Sequence, residues 1–327
     1  MKRRLLMLSL ITALPLAFLL SIMIGSALLS LDGFFGGLFG RTGYETERAI
    51  LLYIRLPRAL AAILAGAGLS LAGVLLQHVM DNPLAGPNTV GVNAGAGFFT
   101  VLLLSLLPSA TPYLPIAAFL GAFATALLIL ALARLSGSGR YTVILAGIAC
   151  TSLFSAGISL FSVLDTDVLA AYSAFSVGGL AGVTMAKLIL PAVLILLSLI
   201  GALTLIRPLS ALALGDASAT ALGIRVRAVR TVAVLLSAMS AGAAISFAGL
   251  LGFVGLAVPH ITRRLLGNGL RRELIYAPIV GATLLLLADL AARTLFRPSD
   301  IPVGIITAAL GAPFFLILLL GRRGAHA

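Results

Sequence analysis

LLMLSLITALPLAFLLSIMIGSALLSL, residues 5–31, runs from Leu5 to Leu31 without a charged side chain. A helix needs about 20 consecutive apolar residues to cross roughly 30 Å of hydrocarbon, and this run exceeds that. It follows Met1-Lys2-Arg3-Arg4, which imitates a secretory signal peptide. Signal cores are only about 7–15 residues long, so the run reads as a retained first span. The rest of the chain has the same character. Of 327 residues, 61% are hydrophobic and 10% charged, and mean hydropathy is +1.17. A soluble domain carries roughly a quarter charged residues. The apolar content suffices for about ten crossings, and no polar segment is long enough to form a soluble domain.

The spans read as 5–31, 57–80, 90–107, 114–135, 143–163, 188–206, 229–250, 253–266, 275–295 and 303–320. The expected fold is an all-α integral membrane protein of about ten transmembrane helices, one transmembrane domain over residues 1–327. The eighth span is short and rich in Gly and Pro, so a half-helix or re-entrant segment is expected there, tolerable only against protein or a wet cavity. Fifteen of the 22 lysines and arginines fall in 2–4, 134–140, 207–230, 263–272 and 322–323, and seven in 41–58, at 187 and in 293–297. Cytoplasmic loops carry the excess of positive charge. Ten spans with both termini cytoplasmic therefore fit the net charge of +12, and nucleic acid is not needed to explain it.

Ala65-Gly66-Ala67-Gly68-Leu69-Ser70-Leu71-Ala72-Gly73-Val74-Leu75-Leu76 resembles Ala241-Gly242-Ala243-Ala244-Ile245-Ser246-Phe247-Ala248-Gly249-Leu250-Leu251-Gly252, with seven of twelve positions identical. The same offset pairs Pro83 with Pro259 and Gly91 with Gly267. Five spans separate the copies, so spans 2–5 and 7–10 would form an inverted repeat, an arrangement recurrent in transport proteins.

The chemistry of hydrolases and metal sites is missing: no Gly-x-Ser-x-Gly, no His-Glu-x-x-His, and no phosphate-binding Gly-x-x-x-x-Gly-Lys-Ser/Thr occurs. The chain is therefore not expected to be an enzyme, to bind a cofactor or metal, or to hydrolyse ATP itself. Cys150 lies inside an apolar run and reads as a packed thiol. Ionisable residues within spans are functional candidates. Asp289 is the clear one, with Arg293 four residues on and hence on the same helical face. No chain of buried acids suggests proton or sodium coupling, so the energy source is expected to be external.

Three stretches carry a family resemblance. The first is Arg55-Leu56-Pro57-Arg58, running on to Asn82-Pro83-Leu84-Ala85 and Gly91-Val92-Asn93-Ala94-Gly95-Ala96. The second is Gly249-Leu250-Leu251-Gly252-Phe253-Val254-Gly255-Leu256-Ala257-Val258-Pro259-His260. The third comprises Ala288-Asp289-Leu290-Ala291-Ala292-Arg293, Ile301-Pro302-Val303-Gly304 and Gly311-Ala312-Pro313-Phe314-Phe315. Over about 55–320 the chain resembles the FecCD/BtuC-type permeases of bacterial ABC importers for ferric siderophores, haem and cobalamin. It departs at Gly86, where the family often has Asp.

The resemblance implies a homodimer in the bacterial inner membrane on two cytoplasmic ATPase subunits, which would carry the ATP and Mg. A periplasmic or lipid-anchored binding protein would deliver cargo. By matching motif positions, Arg55, Arg58 and Arg293 are implied to dock glutamates of that protein, and arginine does grip carboxylates bidentately. The cytoplasmic stretch 207–230 is implied to be the ATPase-coupling loop, through Leu214, Gly215, Asp216, Ala217, Ala219, Leu222 and Gly223. Its composition suits two short helices broken at Gly215 and Gly223. The path is expected on the dimer axis, with Asn82, Pro83, Leu84, Tyr141 and Thr142 at its cytoplasmic gate. A ferric siderophore is the expected cargo, with cobalamin or haem as alternatives in the family. An ATP-independent channel or secondary carrier is the alternative outside it.

Overall fold

The structure, a computed structural model, describes residues 2–27, 29–135 and 140–321. The described residues form helices α1 (Lys2–Met23), α2 (Leu31–Phe39), α3 (Glu45–Ala49), α4 (Leu56–Met80), α5 (Val92–Leu106), α6 (Leu114–Leu135), α7 (Arg140–Leu164) and α8 (Thr166–Val177). They continue with α9 (Met185–Thr204), α10 (Ile206–Leu212), α11 (Asp216–Ala221), α12 (Val226–Ala248), α13 (Val254–Leu266), α14 (Leu270–Thr294) and α15 (Val303–Gly321). A π-helical turn at Ile50–Arg55 joins α3 to α4. Seven of the described helical segments are long and apolar enough to cross a membrane, and α5 and α15 are shorter apolar helices. With α13, they account for the ten expected spans.

Two features depart most from the sequence reading. The first span stops at Met23 instead of Leu31, because the side chain of Arg55 takes up the carbonyls of Ile22, Met23 and Ala27 at 2.6–2.7 Å. The chain then starts α2 afresh, with the Ser30 hydroxyl capping Gly33 N–H at 3.0 Å. Helix α8 was not foreseen. Asp165 caps it by accepting from the N–H groups of Asp167 and Val168, and Gly178 closes it.

Helix α4 is the spine, packed along α14 and α12. Small residues allow membrane helices to approach this closely. A Cβ on Gly66 would sit 2.2 Å from Gly281 O, and one on Gly73 1.7 Å from Gly255 O. The packing is reciprocal: α4 lies on α14 while α12 lies on α6. The repeat pairs Gly66 with Gly242, and Gly242 faces Ala122 of α6 as Gly66 faces Gly281 of α14. That is the pattern a two-fold relation between α4–α7 and α12–α15 requires. The offset of 176 then lapses. Pro83 lies in a turn and Pro259 inside α13, while Gly91 opens a helix and Gly267 closes one.

Hydrogen bonds order the ends. Ser237 and Ser240 donate to Ala72 O and Gly68 O at 3.1 and 2.8 Å, so α12 runs antiparallel to α4. Helix α14 does the same, with Asp289 beside Arg58 and Glu273 beside His78. One end of the bundle therefore gathers Arg58, the close of α1 and the start of α15. The other gathers Met80, the α10–α11 loop and the close of α15. Helix α13 begins beside Gly73, near the middle of α4. At thirteen residues it is about 20 Å long, short of a full crossing, so the expected half-helix is present. Non-helical backbone at such depth must find partners inside the protein. Here Leu250 N–H donates to Phe175 O at 3.0 Å, Gly179 N–H to Ala248 O at 2.9 Å and Gly304 N–H to Gly178 O at 3.2 Å.

Candidate functional site

Three cavities follow one another along one face of the chain. At the Arg58 end, a space of about 520 Å³ is lined by Arg58, Ser173, Ala174, Val177, Leu180 and Asp300, among others. It shares Val177 with a space of about 360 Å³ between the start of α5, the close of α8 and the start of α15. That second cavity is lined by Asn88, Asn93, Ser176, Leu250, Gly252 and Gly304, among others. Asn88 is shared in turn with a third space of about 360 Å³, where Asn82, Leu84 and Thr89 face Ile148, Thr151 and Ser152 of α7. Among the described lining residues the charged ones are Arg58 and Asp300, at one mouth. Several liners, including Asn88, Thr89, Ser152 and Ser173, are exposed. The file is therefore a groove on the outside of the chain and not a bore through its core.

Of the expected gate residues, the structure brings Asn82 and Leu84 into this groove. Asn82 Oδ1 accepts from Leu84 N–H at 2.9 Å, and Asp81 sets the turn at φ 48°. Pro83 and Thr142 are half-buried and do not line the groove, and the side chain of Tyr141 lies outside the described residues. Gly86 N–H donates to Thr89 Oγ1 at 2.8 Å, and a Cβ at Gly86 would meet open space. The loop thus keeps its shape without the acid that the family resemblance leads one to expect.

The three arginines expected to dock a partner lie together, but inside the chain. Arg58 Nε donates to both oxygens of Asp289 at 3.0 and 3.2 Å, and Nη1 to Asp300 at 2.6 Å. Arg293 pairs with Asp289 at 3.0 Å and also donates to Ser21 Oγ at 2.8 Å and Ile24 O at 3.2 Å. Arg55 is spent on the α1 carbonyls. All three are at most 7% exposed. Docking glutamates of a partner, as expected of these residues, calls for free guanidinium groups, and in this single chain Arg55 and Arg293 are buried and bonded. Arg58 alone of the three borders the groove. The Asp289–Arg293 pair foreseen from spacing is present, enlarged to a buried triad by Arg58. The exposed cations at this end are Arg41, Arg48, Lys187 and Arg297. Beside them, the Asp32 carboxylate accepts the Tyr44 hydroxyl and raises that phenol's pKa.

At the opposite end the expected loop has its expected form. Helices α10 and α11 are separated at Gly215 (φ 96°), and Gly223 (φ 79°) ends the second. Leu209 and Ala219 are fully buried and anchor it, while Leu214 and Leu222 stand 66% and 64% exposed on either side of α11. Ala217 and Gly223 are exposed. Asp216 holds Arg230 through two contacts of 3.1 Å, fixing the loop to the base of α12.

One cluster went unseen in the sequence. Glu273, 1% exposed, accepts from Arg263 at 2.8 Å and lies 3.2 Å from His78 Nε2, while Arg263 donates to Gln77. His78 and Glu273 are 195 residues apart, so no local spacing could reveal them. Among the described residues no group of acids, histidines and cysteines has metal-binding geometry.

Comparison with known proteins adds three findings. A family model described as the FecCD transport family matches residues 13–321. The hemin transport system permease protein HmuU of Yersinia pestis is 38% identical over 84% of both chains. The Fe(3+)-citrate import system permease protein YfmE of Bacillus subtilis is 37% identical over 92% of this chain and 90% of its own. Among solved structures, a chain described as a metal-chelate type ABC transporter in an inward-facing conformation matches with a TM-score of 0.87. It is 31% identical, over 97% of this chain and 99% of that one.

Proposed function

The chain belongs to the FecCD transport family, and from that premise we propose that it forms the membrane path of an ATP-driven importer for a ferric siderophore. The carrying observation is the groove that joins the Arg58 end to the Leu84 end. An open groove on one chain becomes a closed passage when a second copy covers it, which supports a homodimer with cargo moving between the subunits. Its uncharged middle suits a chelate whose metal charge is already neutralised by its ligands, since unpaired charges are costly to strip of water.

The end rich in arginine is read as cytoplasmic by the positive-inside rule, which puts both termini there. The exposed Leu214 and Leu222 then offer a partner ATPase two apolar contacts on a loop tied by Asp216 to α12. The partner carries ATP and Mg, and this chain conducts cargo. At the other end we place the binding-protein contact on the exposed cations Arg41, Arg48, Lys187 and Arg297. Arg58 is reached only by a carboxylate that displaces Asp300. Haem is the second reading for the cargo, favoured by the likeness to HmuU. Against it, no described groove liner is a His or Tyr.

The test is uptake of iron-55 chelates by proteoliposomes holding the chain, its ATPase and its binding protein. Uptake of a ferric siderophore that requires ATP is expected. Uptake that persists without ATP, or with a hydrolysis-deficient ATPase, would overturn the importer reading.

A further inference from the structure

Asn93 lies at the start of α5, 7% exposed, in the middle cavity of the groove. Its Oδ1 is buried without a hydrogen-bond partner. A buried polar atom left unpaired is costly, and Asn93 carries one while the residue itself lines the cavity, so a turn of its amide toward that space would give the atom a partner on an incoming group. Three features of the same cavity define that group. No charged side chain lines it, which disfavours carboxylate-rich edges. At the start of α5 the N–H groups of Gly91 and Val92 are taken by Asn88 O and Pro87 O at 3.3 and 3.1 Å, while those of Asn93 and Ala94 lie in the first turn, where N–H groups lack intrahelical partners and favour an oxygen acceptor. Ser176, across the cavity, has its hydroxyl turned to Ser173 O at 2.9 Å, which leaves its oxygen free to accept. A neutral group that both donates and accepts satisfies this set, and an amide does so.

We propose that Asn93 is a cargo-binding residue of the groove, and that it takes the amide groups at the periphery of an amide-bearing ferric chelate. This rests on the importer reading above and adds a substrate class to it: peptide-like or amide-linked siderophores over ferric citrate or haem. In the passage the chelate pauses at Asn93, between the charged mouth and the Leu84 end.

The experiment uses the complete importer in proteoliposomes, with a ferric tris-hydroxamate peptide, ferric citrate and haemin as separate probes. The unaltered importer is expected to take up the hydroxamate peptide. Asn93→Leu should slow that uptake about tenfold, the worth of one hydrogen bond of roughly 1.4 kcal/mol. Asn93→Ser, which keeps a polar atom, should lose less. The thermal midpoint of each variant in detergent separates loss of contact from loss of fold. Uptake of only ferric citrate or haemin by the unaltered importer would overturn the assignment while leaving the importer reading intact. So would an Asn93→Leu rate equal to that of the unaltered importer, or equal losses for Leu and Ser. Failure to take up any iron chelate would overturn both.

Discussion

Replacing Asp289 tests what holds the Arg58 end together. Its carboxylate is wholly buried and serves Arg58 and Arg293 at once, at 3.0 Å each. In Asp289→Asn both guanidinium groups stay buried and lose their shared negative charge. Arg58 keeps Asp300 at 2.6 Å, but Arg293 is left with neutral partners only. Breaking a buried pair by removing one side costs about 3–5 kcal/mol. Asp300 is the control, because its side chain is 32% exposed and solvent reduces the loss in Asp300→Asn to about 1 kcal/mol or less. At about 2–4 °C per kcal/mol for a larger domain, Asp289→Asn should lower the midpoint in detergent by roughly 10 °C, and Asp300→Asn by a few degrees. The chain has no tryptophan, so the midpoint is best followed by helical circular dichroism or by recovery of the monodisperse peak after heating. Replacing Asp289 and Arg293 together with leucines should recover part of the loss, since apolar groups leave less charge unpaired. If Asp289→Asn costs no more than Asp300→Asn, the triad does not stabilise this end, and the burial of Arg58 and Arg293 needs another explanation.

Further outcomes follow from the helix packing, the α10–α11 loop and the exposed cations. Gly73→Ala should destabilise by about 1–3 kcal/mol or more, because its Cβ would stand 1.7 Å from Gly255 O. Gly86→Ala, with open space around it, should stay within about 0.5 kcal/mol, and thermal midpoints of the two variants compare them directly. Leu214→Glu with Leu222→Glu should reduce copurification with the partner ATPase without lowering the thermal midpoint; a full ATPase complement would count against the coupling loop. Arg41→Glu with Arg297→Glu should slow association of the binding protein, with the difference shrinking as salt rises. Arg55→Gln should instead lower stability, and a pure association defect in that variant would restore Arg55 to the docking surface.

Local signals were the legible part of the molecule. Helix α6 begins and ends at the residues expected of it, and the α10–α11 loop breaks at the two expected glycines, because apolar length and positive φ are properties of a few adjacent residues. The ion triad was half legible: Asp289 and Arg293 sit one helical turn apart, while Arg58 reaches Asp289 across 231 positions. Helix α8 has a readable cap in Asp165 and a readable stop at Gly178, but its twelve residues lie between two longer apolar runs that dominate the pattern. The repeat shows where local reading must fail. Ser70-Leu71-Ala72-Gly73-Val74-Leu75 and Ser246-Phe247-Ala248-Gly249-Leu250-Leu251 have nearly the same helix preference, yet the first stays helical and the second leaves the helix at Gly249, φ 71°. Beside Gly73 lie the backbone of Gly255, at the start of α13, and the hydroxyl of Ser237 of α12 on Ala72 O, and neither takes an N–H away from the helix. At Gly249 the carbonyl of Phe175, at the close of α8, captures the N–H of Leu250 and lies where a Cβ would stand, 2.5 Å away. An element absent from the first half thus diverts the second, and the diversion contributes Leu250 and Gly252 to the cavity that holds Asn93. The asymmetry between two similar sequences is what creates the middle of the groove.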